Sequence, residues 1–190
     1  IINRVTGGNI SNIDGLIKAN GSANLFLINP AGIVFGENAS LDIGGSFLGS
    51  TAQSILFEDG FNYSAIVSEQ TPLLTVSVPL GLQMGQNSGD ITVQGRGHNV
   101  TLAGISLLQR GIDISGLQVK SGNNITLVGG NISLDGGLLV ADSGNIELAA
   151  FSDGQWEIGQ DNSISDLKST TSKQFGNIQL ISSALLDVSG

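Results

Sequence analysis

The chain has 190 residues with 16 acidic and 7 basic side chains, a formal net charge of −9, one histidine and no cysteine. The negative charge opposes binding to nucleic-acid phosphates and to anionic lipid, and no apolar run approaches the roughly 20 residues of a membrane-spanning helix. Without cysteine there are no disulfides, thiolate metal sites or cysteine nucleophiles. We therefore expect no metal and no cofactor. From the charge and the short apolar runs, we expect no membrane insertion.

The first predicted strands lie in residues 1–36. The opening IINRVTGG has the pattern of the middle of a strand rather than of its start. Farther on, apolar runs at 25–28 and 33–35 flank the polar stretch that begins at Asn29. Because Pro30 restricts φ to about −65° and Gly32 permits positive φ, we predict a turn from Asn29 to Ile33 that joins two strands.

Two segments break the pattern of short strands. Residues 55–82 contain two of the three prolines and three aromatic residues, Phe57, Phe61 and Tyr63. Their apolar runs at 61–67 and 73–80 are predicted to pair as an extra hairpin or small sheet, with the aromatic rings as its local core. Residues 153–173 contain the only tryptophan, Trp156, and a polar run, and we predict an outward loop there.

Similar strand-like segments recur along the rest of the chain. SGDITV, GNNITLV, SGNIELA and FGNIQLI each place Asn or Asp before a run of period two, and their aligned isoleucines are Ile91, Ile125, Ile146 and Ile178. These isoleucines are 34, 21 and 32 residues apart. A second set of segments shares an aspartate in a similar context: Asp42, Asp113, Asp135 and Asp187. A unit of about 20 residues with variable loops is typical of a solenoid.

The fold predicted from these units is all-β, because Gly, Asn, Ser and β-branched residues interrupt every candidate helix. We predict a right-handed parallel β-helix of roughly eight or nine coils, with Asn and Gly at the corners between its faces. The extra hairpin or sheet of residues 55–82 would lie outside the helix. The competing fold is a β-sandwich, which favours hairpins with Asn-Gly turns, and only Asn20-Gly21 supplies that dipeptide.

The run ANLFLINPAGIVFGENASLDIGGSFLGSTA resembles the two-partner secretion domain of filamentous haemagglutinin-like exoproteins, especially cyanobacterial members. The hallmark of that family is Asn-Pro-Asn-Gly-Ile, and this chain has Asn29-Pro30-Ala31-Gly32-Ile33. Upstream RVTGGNISNIDGLI and downstream LVGGNISLDGGLLVADSGNIELAAF extend the resemblance from Arg4 to about Phe151. Ala31 departs from the motif, and the family's earlier Asn-Pro-Asn-Leu motif is not found, so we expect an N-terminally incomplete fragment of a larger exoprotein.

The resemblance implies one secretion domain over residues 1–190, which is not an enzyme. Its partner would be an outer-membrane β-barrel transporter with periplasmic recognition domains, and its destination the cell surface or the medium, reached through the periplasm. It would also nucleate β-helix folding of the exoprotein. The implied partner-recognition or motif-turn residues are Asn9, Asn29, Pro30, Gly32 and Ile33. From the residues alone, the motif can equally well only shape a corner of a coil. No nucleic acid or small-molecule substrate is expected.

Two other functions are compatible with a β-helix. A polysaccharide lyase or hydrolase needs paired carboxylates or carboxylates beside basic groups. Few basic residues accompany the recurrent aspartates in the sequence, namely Arg96 and Arg110. An aspartate repeated at one place in each coil is more simply a turn-stabilising ladder. The single histidine, His98, lies in the polar stretch GRGHN and is predicted to be a solvated loop residue. The other function is an adhesin that binds glycan or protein through the β-helix flank or the aromatic residues.

Overall fold

A computed structural model of the chain describes residues 1–66, 78–103, 107–109, 116–158 and 174–190. Within these residues all the regular elements are β-strands and there is no helix, which confirms the predicted all-β class. Accordingly, this part of the chain contains no helix with the length and apolarity needed to cross a membrane.

The described residues form 22 strands, most of them three or four residues long. The strands up to residue 94 are β1 (Ile2–Arg4), β2 (Ser11–Ile13), β3 (Leu16–Lys18), β4 (Leu25–Ile28), β5 (Ile33–Phe35), β6 (Ser40–Asp42), β7 (Phe47–Ser50), β8 (Ser54–Phe57), β9 (Asn62–Ser64), β10 (Pro79–Met84) and β11 (Ile91–Gln94). The later strands are β12 (Thr101–Ala103), β13 (Leu107–Gln109), β14 (Leu117–Gln118), β15 (Ile125–Gly129), β16 (Ile132–Asp135), β17 (Leu138–Val140), β18 (Ile146–Ser152), β19 (Gly154–Glu157), β20 (Gln174–Phe175), β21 (Ile178–Ile181) and β22 (Leu185–Asp187).

Three faces of the fold are built mainly from parallel strands. The first sheet has the order β1-β4-β7-β15-β18-β20 and the second has the order β2-β5-β11-β16-β21. The third face consists of two smaller sheets, β3-β6 and β14-β17-β22, in which β6 and β14 are near neighbours. All paired neighbours on these faces are parallel except β18 and β20.

The chain visits the first sheet, the second sheet and the third face in turn. One round over the three faces is a three-strand repeat. The described residues hold five such repeats: β1-β2-β3, β4-β5-β6, β7-β11-β14, β15-β16-β17 and β18-β21-β22. The prediction of eight or nine units is therefore too high for this part of the chain, because strands inserted within the third and fifth repeats use many residues. Parallel pairing also contradicts the β-sandwich alternative, whose sheets are antiparallel.

The four aligned isoleucines do not occupy equivalent positions. Ile125 pairs with Ile146 in the first sheet. Ile91 and Ile178 both pair with Ile132 in the second sheet. The alignment mixed two columns because strands of both sheets begin in the same way, with Asn or Asp followed by an isoleucine.

Side chains that point inward from all three faces form the inner core. Its largest members are Leu25, Ile33, Phe35, Ile43, Phe47, Ile91, Leu117, Ile125, Leu127, Ile132, Leu134 and Leu139. The rings of Phe35 and Phe47 meet edge to face with centroids 6.0 Å apart. Complete burial of one such side chain contributes about 1.5–3 kcal/mol to the free energy of folding. The inner core is therefore the main source of cohesion between repeats.

An antiparallel sheet, the outer sheet, packs on the outward side of the first sheet. Its order is β19-β10-β8-β9. Between the two sheets lies the outer core, with Phe26, Ile28, Leu48, Ile55, Leu82, Met84, Val128 and Phe151. Strand β15 is buried at every position, as expected for a parallel strand that is covered on both faces.

The segments that break the pattern match their predictions only in part. Residues 55–82 contribute to a small sheet, as predicted, but the strands pair differently. Strand β9 from the 61–67 run and strand β10, which begins in the 73–80 run, each pair with β8 rather than with each other. Most of the second run lies outside the described residues. Gly154–Glu157 form β19 of the outer sheet, so the predicted loop at 153–173 is wrong there, and residues 159–173 lie outside the described part. GQWE has too few apolar side chains to show a strand period.

Candidate functional site

The segment from Asn29 to Ile33 forms the predicted turn, the motif turn, between β4 and β5. The Gly32 N–H donates to the Asn29 carbonyl at 3.1 Å, which closes a β-turn with Pro30 at its second position. Gly32 has a φ of 126°, a value that L side chains rarely adopt. A Cβ at Gly32 would also lie 3.1 Å from the Asp90 carbonyl oxygen. The backbone geometry therefore requires glycine at this position.

The side chain of Asn29 ties the motif turn to the preceding repeat. Asn29 is 0% exposed. Its Nδ2 donates to the Asn9 carbonyl and to Ser11 Oγ, both at 2.8 Å, and its Oδ1 accepts from the Ala31 N–H at 3.0 Å. These bonds use three of the four hydrogen-bonding positions of the amide. The free-energy cost of burying the polar Asn29 side chain is therefore small.

Ile33 ends the motif turn, and Asn9 lies next to the turn in the preceding repeat. Asn9 is exposed, and its contribution is the backbone carbonyl that accepts from Asn29. Ile33 is buried in the inner core, and its N–H donates to the Asp90 carbonyl at 3.0 Å. All five residues singled out from the sequence are thus adjacent. In the folded chain only Asn9 and the half-buried Pro30 reach the surface.

The third repeat places residues 88–90 directly against the motif turn. The Gly89 N–H donates to the Pro30 carbonyl at 2.9 Å, and the Gly130 N–H donates to the Gly89 carbonyl at 2.9 Å. A Cβ at Gly89 would lie 2.4 Å from the carbonyl carbon of Ala31. Glycine therefore allows successive corners to stack with their backbones in contact. We name this stack the motif column: residues 9–11, 29–32, 88–90, 130–131 and 176–177.

A ladder of amide and carboxylate groups runs through the motif column. Asp90 Oδ1 accepts from the Asn131 N–H at 3.0 Å and from its side-chain amide at 2.8 Å. Asn131 Oδ1 accepts from the Asn177 N–H at 2.9 Å. A second ladder, at the start of the first sheet, contains Asn24, Ser46, Asn124 and Asn145. The Asn or Asp before each of the four aligned isoleucines thus belongs to one of two ladders, and the sequence pattern did not separate the two.

The recurrent aspartates do not form one ladder. Asp42 and Asp187 lie on strands β6 and β22 of the third face, whereas Asp135 ends β16 of the second sheet. Asp113 lies outside the described residues. Asp42 accepts a hydrogen bond from Lys18 on the neighbouring strand, and this bond, together with the Lys18 charge, lowers the pKa of Asp42. The predicted aspartate ladder is therefore wrong, since a shared sequence context did not mean a shared position.

Arg96 and the histidine contact separate neighbours on the surface. Arg96 lies 3.5 Å from the Glu37 carboxylate, and Arg110 is outside the described residues. His98 is exposed, as predicted, and its Nδ1 accepts from the Val100 N–H at 3.2 Å. Within the described ranges, no three His, Cys, Asp or Glu side chains come together as ligands for a metal ion.

Comparison with protein-family models gives a match along the whole chain. The model described as the TPS secretion domain matches residues 1–190. The chain belongs to the TPS secretion domain family. This confirms the predicted two-partner secretion domain and assigns the chain a role in two-partner secretion, in which TPS domains work with an outer-membrane transporter. The family is one of secretion domains of exported proteins, not of enzymes. No curated protein matches the chain.

In this TPS secretion domain, the motif turn closes without the second asparagine of the family motif. Ala31 occupies that position, and its N–H bonds to the side chain of Asn29. The Ala31 side chain is half-buried beside the corner at Gly89. The polar contacts of the motif therefore come from the Asn29 side chain and the backbone.

Proposed function

We propose that this TPS secretion domain is the targeting module of an exoprotein and that the periplasmic domains of an outer-membrane β-barrel transporter recognise it. After passage through the periplasm and the transporter, it folds as a right-handed parallel β-helix and nucleates folding of the exoprotein at the cell surface or in the medium. The observation that carries the proposal is the buried side chain of Asn29, bonded to the preceding repeat in a chain of this family.

The pairing of the strands supports the β-helix. In the second sheet, Ile33, Ile91 and Ile132 of successive repeats are paired in parallel. Crossover connections between parallel strands of one sheet are right-handed in about 98% of cases, which favours a right-handed helix. Because each repeat bonds chiefly to its neighbours, the chain can add one repeat at a time to those already folded.

The strands beside the motif turn support recognition before folding. Leu25 and Phe35 are buried in the inner core, while Phe26 and Ile28 are buried in the outer core. Both edges of β4 and of β5 are paired with other strands. An unfolded or partly folded chain offers the same apolar strands, which can add to an open sheet edge of a periplasmic domain. Folding outside the cell then withdraws them from the transporter.

Binding to the isolated periplasmic domains of the cognate transporter tests the proposal. We expect the chain to bind at a urea concentration that partly unfolds it, and to bind much more weakly in native buffer. Titration calorimetry in both conditions measures this difference. A chain that binds in neither condition would contradict the proposal.

The substitution Asn29→Ala separates a role in folding from a role in recognition. It leaves the Asn9 carbonyl and the Ala31 N–H without their partner, so we expect the free energy of unfolding to fall by about 1–3 kcal/mol. The matched control is Asn131→Ala, an exposed member of the same column, for which we expect a smaller loss. Binding to the periplasmic domains is then compared in urea that unfolds all three chains. If Asn29→Ala alone binds more weakly, Asn29 takes part in recognition. If all three chains bind equally, the role of Asn29 is in folding.

The adhesin alternative gains little support from the described flank. The rings of Phe57 and Phe61 lie 6.1 Å apart, and those of Phe61 and Tyr63 lie 6.5 Å apart. The Arg4 guanidinium lies 4.2 Å from the centroid of the Tyr63 ring. A sugar would need such an aromatic face for stacking, and here the face of Tyr63 is occupied. We therefore propose secretion targeting alone.

A further inference from the structure

The outer sheet connects the first three-strand repeat to the last. At one end, the Arg4 guanidinium of β1 donates to the Ser64 carbonyl of β9 and lies over the Tyr63 ring. At the other end, β19 follows β18 of the fifth repeat after a single residue, Asp153. Strands β8 and β10 lie between these two ends. The outer sheet therefore extends over the first sheet from its first repeat to its fifth.

Strand β19 comes from a much later part of the chain than its partners. Strands β8, β9 and β10 lie within residues 54–84, whereas β19 lies at 154–157. In the finished sheet Leu82 pairs with Trp156, and Met84 pairs with Gly154. Until residues 154–157 are in place, β10 has an open edge, although four complete repeats already precede β19.

Backbone hydrogen bonds hold β19 at both ends. The Asp153 N–H donates to the Gly85 carbonyl at 3.0 Å, and the Ile158 N–H donates to the Leu80 carbonyl at 2.7 Å. Asp153 has a φ of 55°, in the left-handed region, because the chain reverses there from the first sheet to the outer sheet. This tight reversal places β19 on the outer sheet as soon as β18 has joined the first sheet.

Packing rather than polar bonding holds the side chain of Trp156. Its ring stacks on Phe151 with centroids 5.7 Å apart and planes inclined by 27°. The buried indole N–H has no acceptor among the described residues. Among the described residues β19 pairs only with β10, whereas inner strands such as β5 and β16 are paired on both edges. We therefore expect β19 to open more readily than the strands of the inner repeats.

We infer that β19 is a closing strand. The inner core forms repeat by repeat, and β19 then completes the outer sheet and locks the first repeat to the fifth. The outer core contains side chains from Phe26 to Ile158, so it is incomplete before β19 docks. On the proposed function the chain emerges unfolded from the transporter, and docking of β19 then marks the emergence of the first four repeats and of β18, the first strand of the fifth. The lock itself is a property of the folded chain and is testable without a transporter.

Hydrogen exchange in the unmodified chain is the first test. The amides of Asp153 and Ile158 report on β19, whereas those of Ile91 and Ile132 bond to neighbouring repeats and report on the inner stack. We expect the β19 amides to exchange about tenfold faster, or more, under native conditions, because the lock opens separately. Equal protection of the two groups would overturn the inference, since it would mean that they open as one unit.

The substitution Gly81→Ala is the second test. A Cβ at Gly81 would lie 2.5 Å from the carbonyl oxygen of Trp156, whereas the control position Gly15 has no atom within 4 Å of an added Cβ. For Gly81→Ala we expect red-shifted emission of Trp156, the only tryptophan. We also expect exchange of the Gln53 amide, which is bonded within the outer sheet, to become about tenfold faster. The Ile132 amide should keep its protection, and Gly15→Ala should change none of these readouts.

Each other outcome argues against the lock. If Trp156 loosens while the Gln53 amide keeps its protection, β19 is a peripheral edge strand. If the Ile132 amide loses protection together with Gln53, the two sheets form one cooperative unit. Failure of Gly81→Ala to fold, when Gly15→Ala folds, would also overturn the inference, because the inner repeats would then depend on β19.

Discussion

The inner repeats and the outer sheet both bury apolar strands, but the partners of these strands come from different repeats. In the first sheet, Phe47 of the third repeat pairs with Leu25 of the second repeat and with Ile125 of the fourth. In the outer sheet, Leu82, which is inserted within the third repeat, pairs with Ile55 of the same insertion and with Trp156, which is inserted within the fifth. A repeat is therefore specified by its immediate neighbours, whereas the outer sheet joins insertions from repeats that are not adjacent. Substitutions in the two regions should consequently have different effects.

The largest effect is expected from a cavity in the inner core. Phe35 is 0% exposed and packs against Phe47, so Phe35→Ala should lower the free energy of unfolding by about 3–5 kcal/mol. Loss of the inner core removes the support of the outer sheet as well. In urea titrations, circular dichroism and Trp156 emission should therefore change together and at lower urea than in the unmodified chain.

Met84→Ala makes the corresponding cavity in the outer core. Met84 is 1% exposed, and the loss should be about 2–5 kcal/mol, confined to the outer sheet. The emission of Trp156 should change at lower urea than the circular dichroism does. Val34→Ala, at a half-buried outward position of the second sheet, is the control for strand substitution. Coincident transitions in Met84→Ala would remove the distinction between the two regions.

A smaller effect is expected where repeats stack through their backbones. Gly89→Ala places a Cβ 2.4 Å from the Ala31 carbonyl carbon, and two backbones must separate to accept it. We expect the free energy of unfolding to fall by about 1–3 kcal/mol. Gly15→Ala, which has open space at the added Cβ, should be nearly neutral. Equal stability of the two variants would show that the motif column tolerates looser stacking than its geometry indicates.

Much of the repeat region could be predicted from the sequence because its information is local. Period two, corner Asn and Gly, and the Pro30 and Gly32 pair are enough to predict short strands and the turn between β4 and β5. Assignment of strands to sheets was not possible, because Ile125 of the first sheet and Ile91 of the second follow the same kind of residue. The local pattern cannot distinguish two columns that use the same corner chemistry.

The outer sheet and the side-chain contacts of the site required the structure. Strand β19 has one large apolar side chain, Trp156, and its partner strand is more than 70 residues away. The bond from Asn29 to the Asn9 carbonyl joins residues 20 apart, so the motif alone could not reveal it. In both cases the missing information is a distant partner rather than a local preference.

Arg4 offers a way to loosen the outer sheet from the end opposite β19. Arg4→Met removes the bond to the Ser64 carbonyl and the cation over the Tyr63 ring. We expect the outer sheet to lose about 1 kcal/mol, with the inner repeats unchanged. Arg4→Lys keeps the charge over the ring and should lose less. The Trp156 emission transition in urea measures both variants, and an unchanged transition in Arg4→Met would show that β9 needs no tie to β1.

The smallest effect concerns a surface contact between the first two repeats. Asp14 Oδ1 accepts from the Asn38 N–H at 2.8 Å, and Oδ2 accepts from the Asn38 side-chain amide at 3.0 Å. The backbone bond, followed by the side-chain bond, lowers the pKa of Asp14 below its ordinary value of 3.8. A carboxylate with a lowered pKa in the folded chain stabilises it above the ordinary value, and this contribution is lost as pH falls through the lowered pKa.

Asp14→Asn should therefore be less stable than the unmodified chain at neutral pH, by a small amount because the carboxylate is fully exposed. The difference between their unfolding midpoints should narrow as pH falls from above the ordinary value of 3.8 through the lowered pKa of Asp14. Urea titrations at a series of pH values measure it. Asn38→Ala removes the side-chain amide donor but keeps the backbone N–H, so it should show a smaller narrowing. The double variant should add little to the change made by Asp14→Asn. Parallel pH profiles for all four chains would mean that this corner contact contributes nothing, so that the stacking of the first two repeats depends on the inner core and the motif column alone.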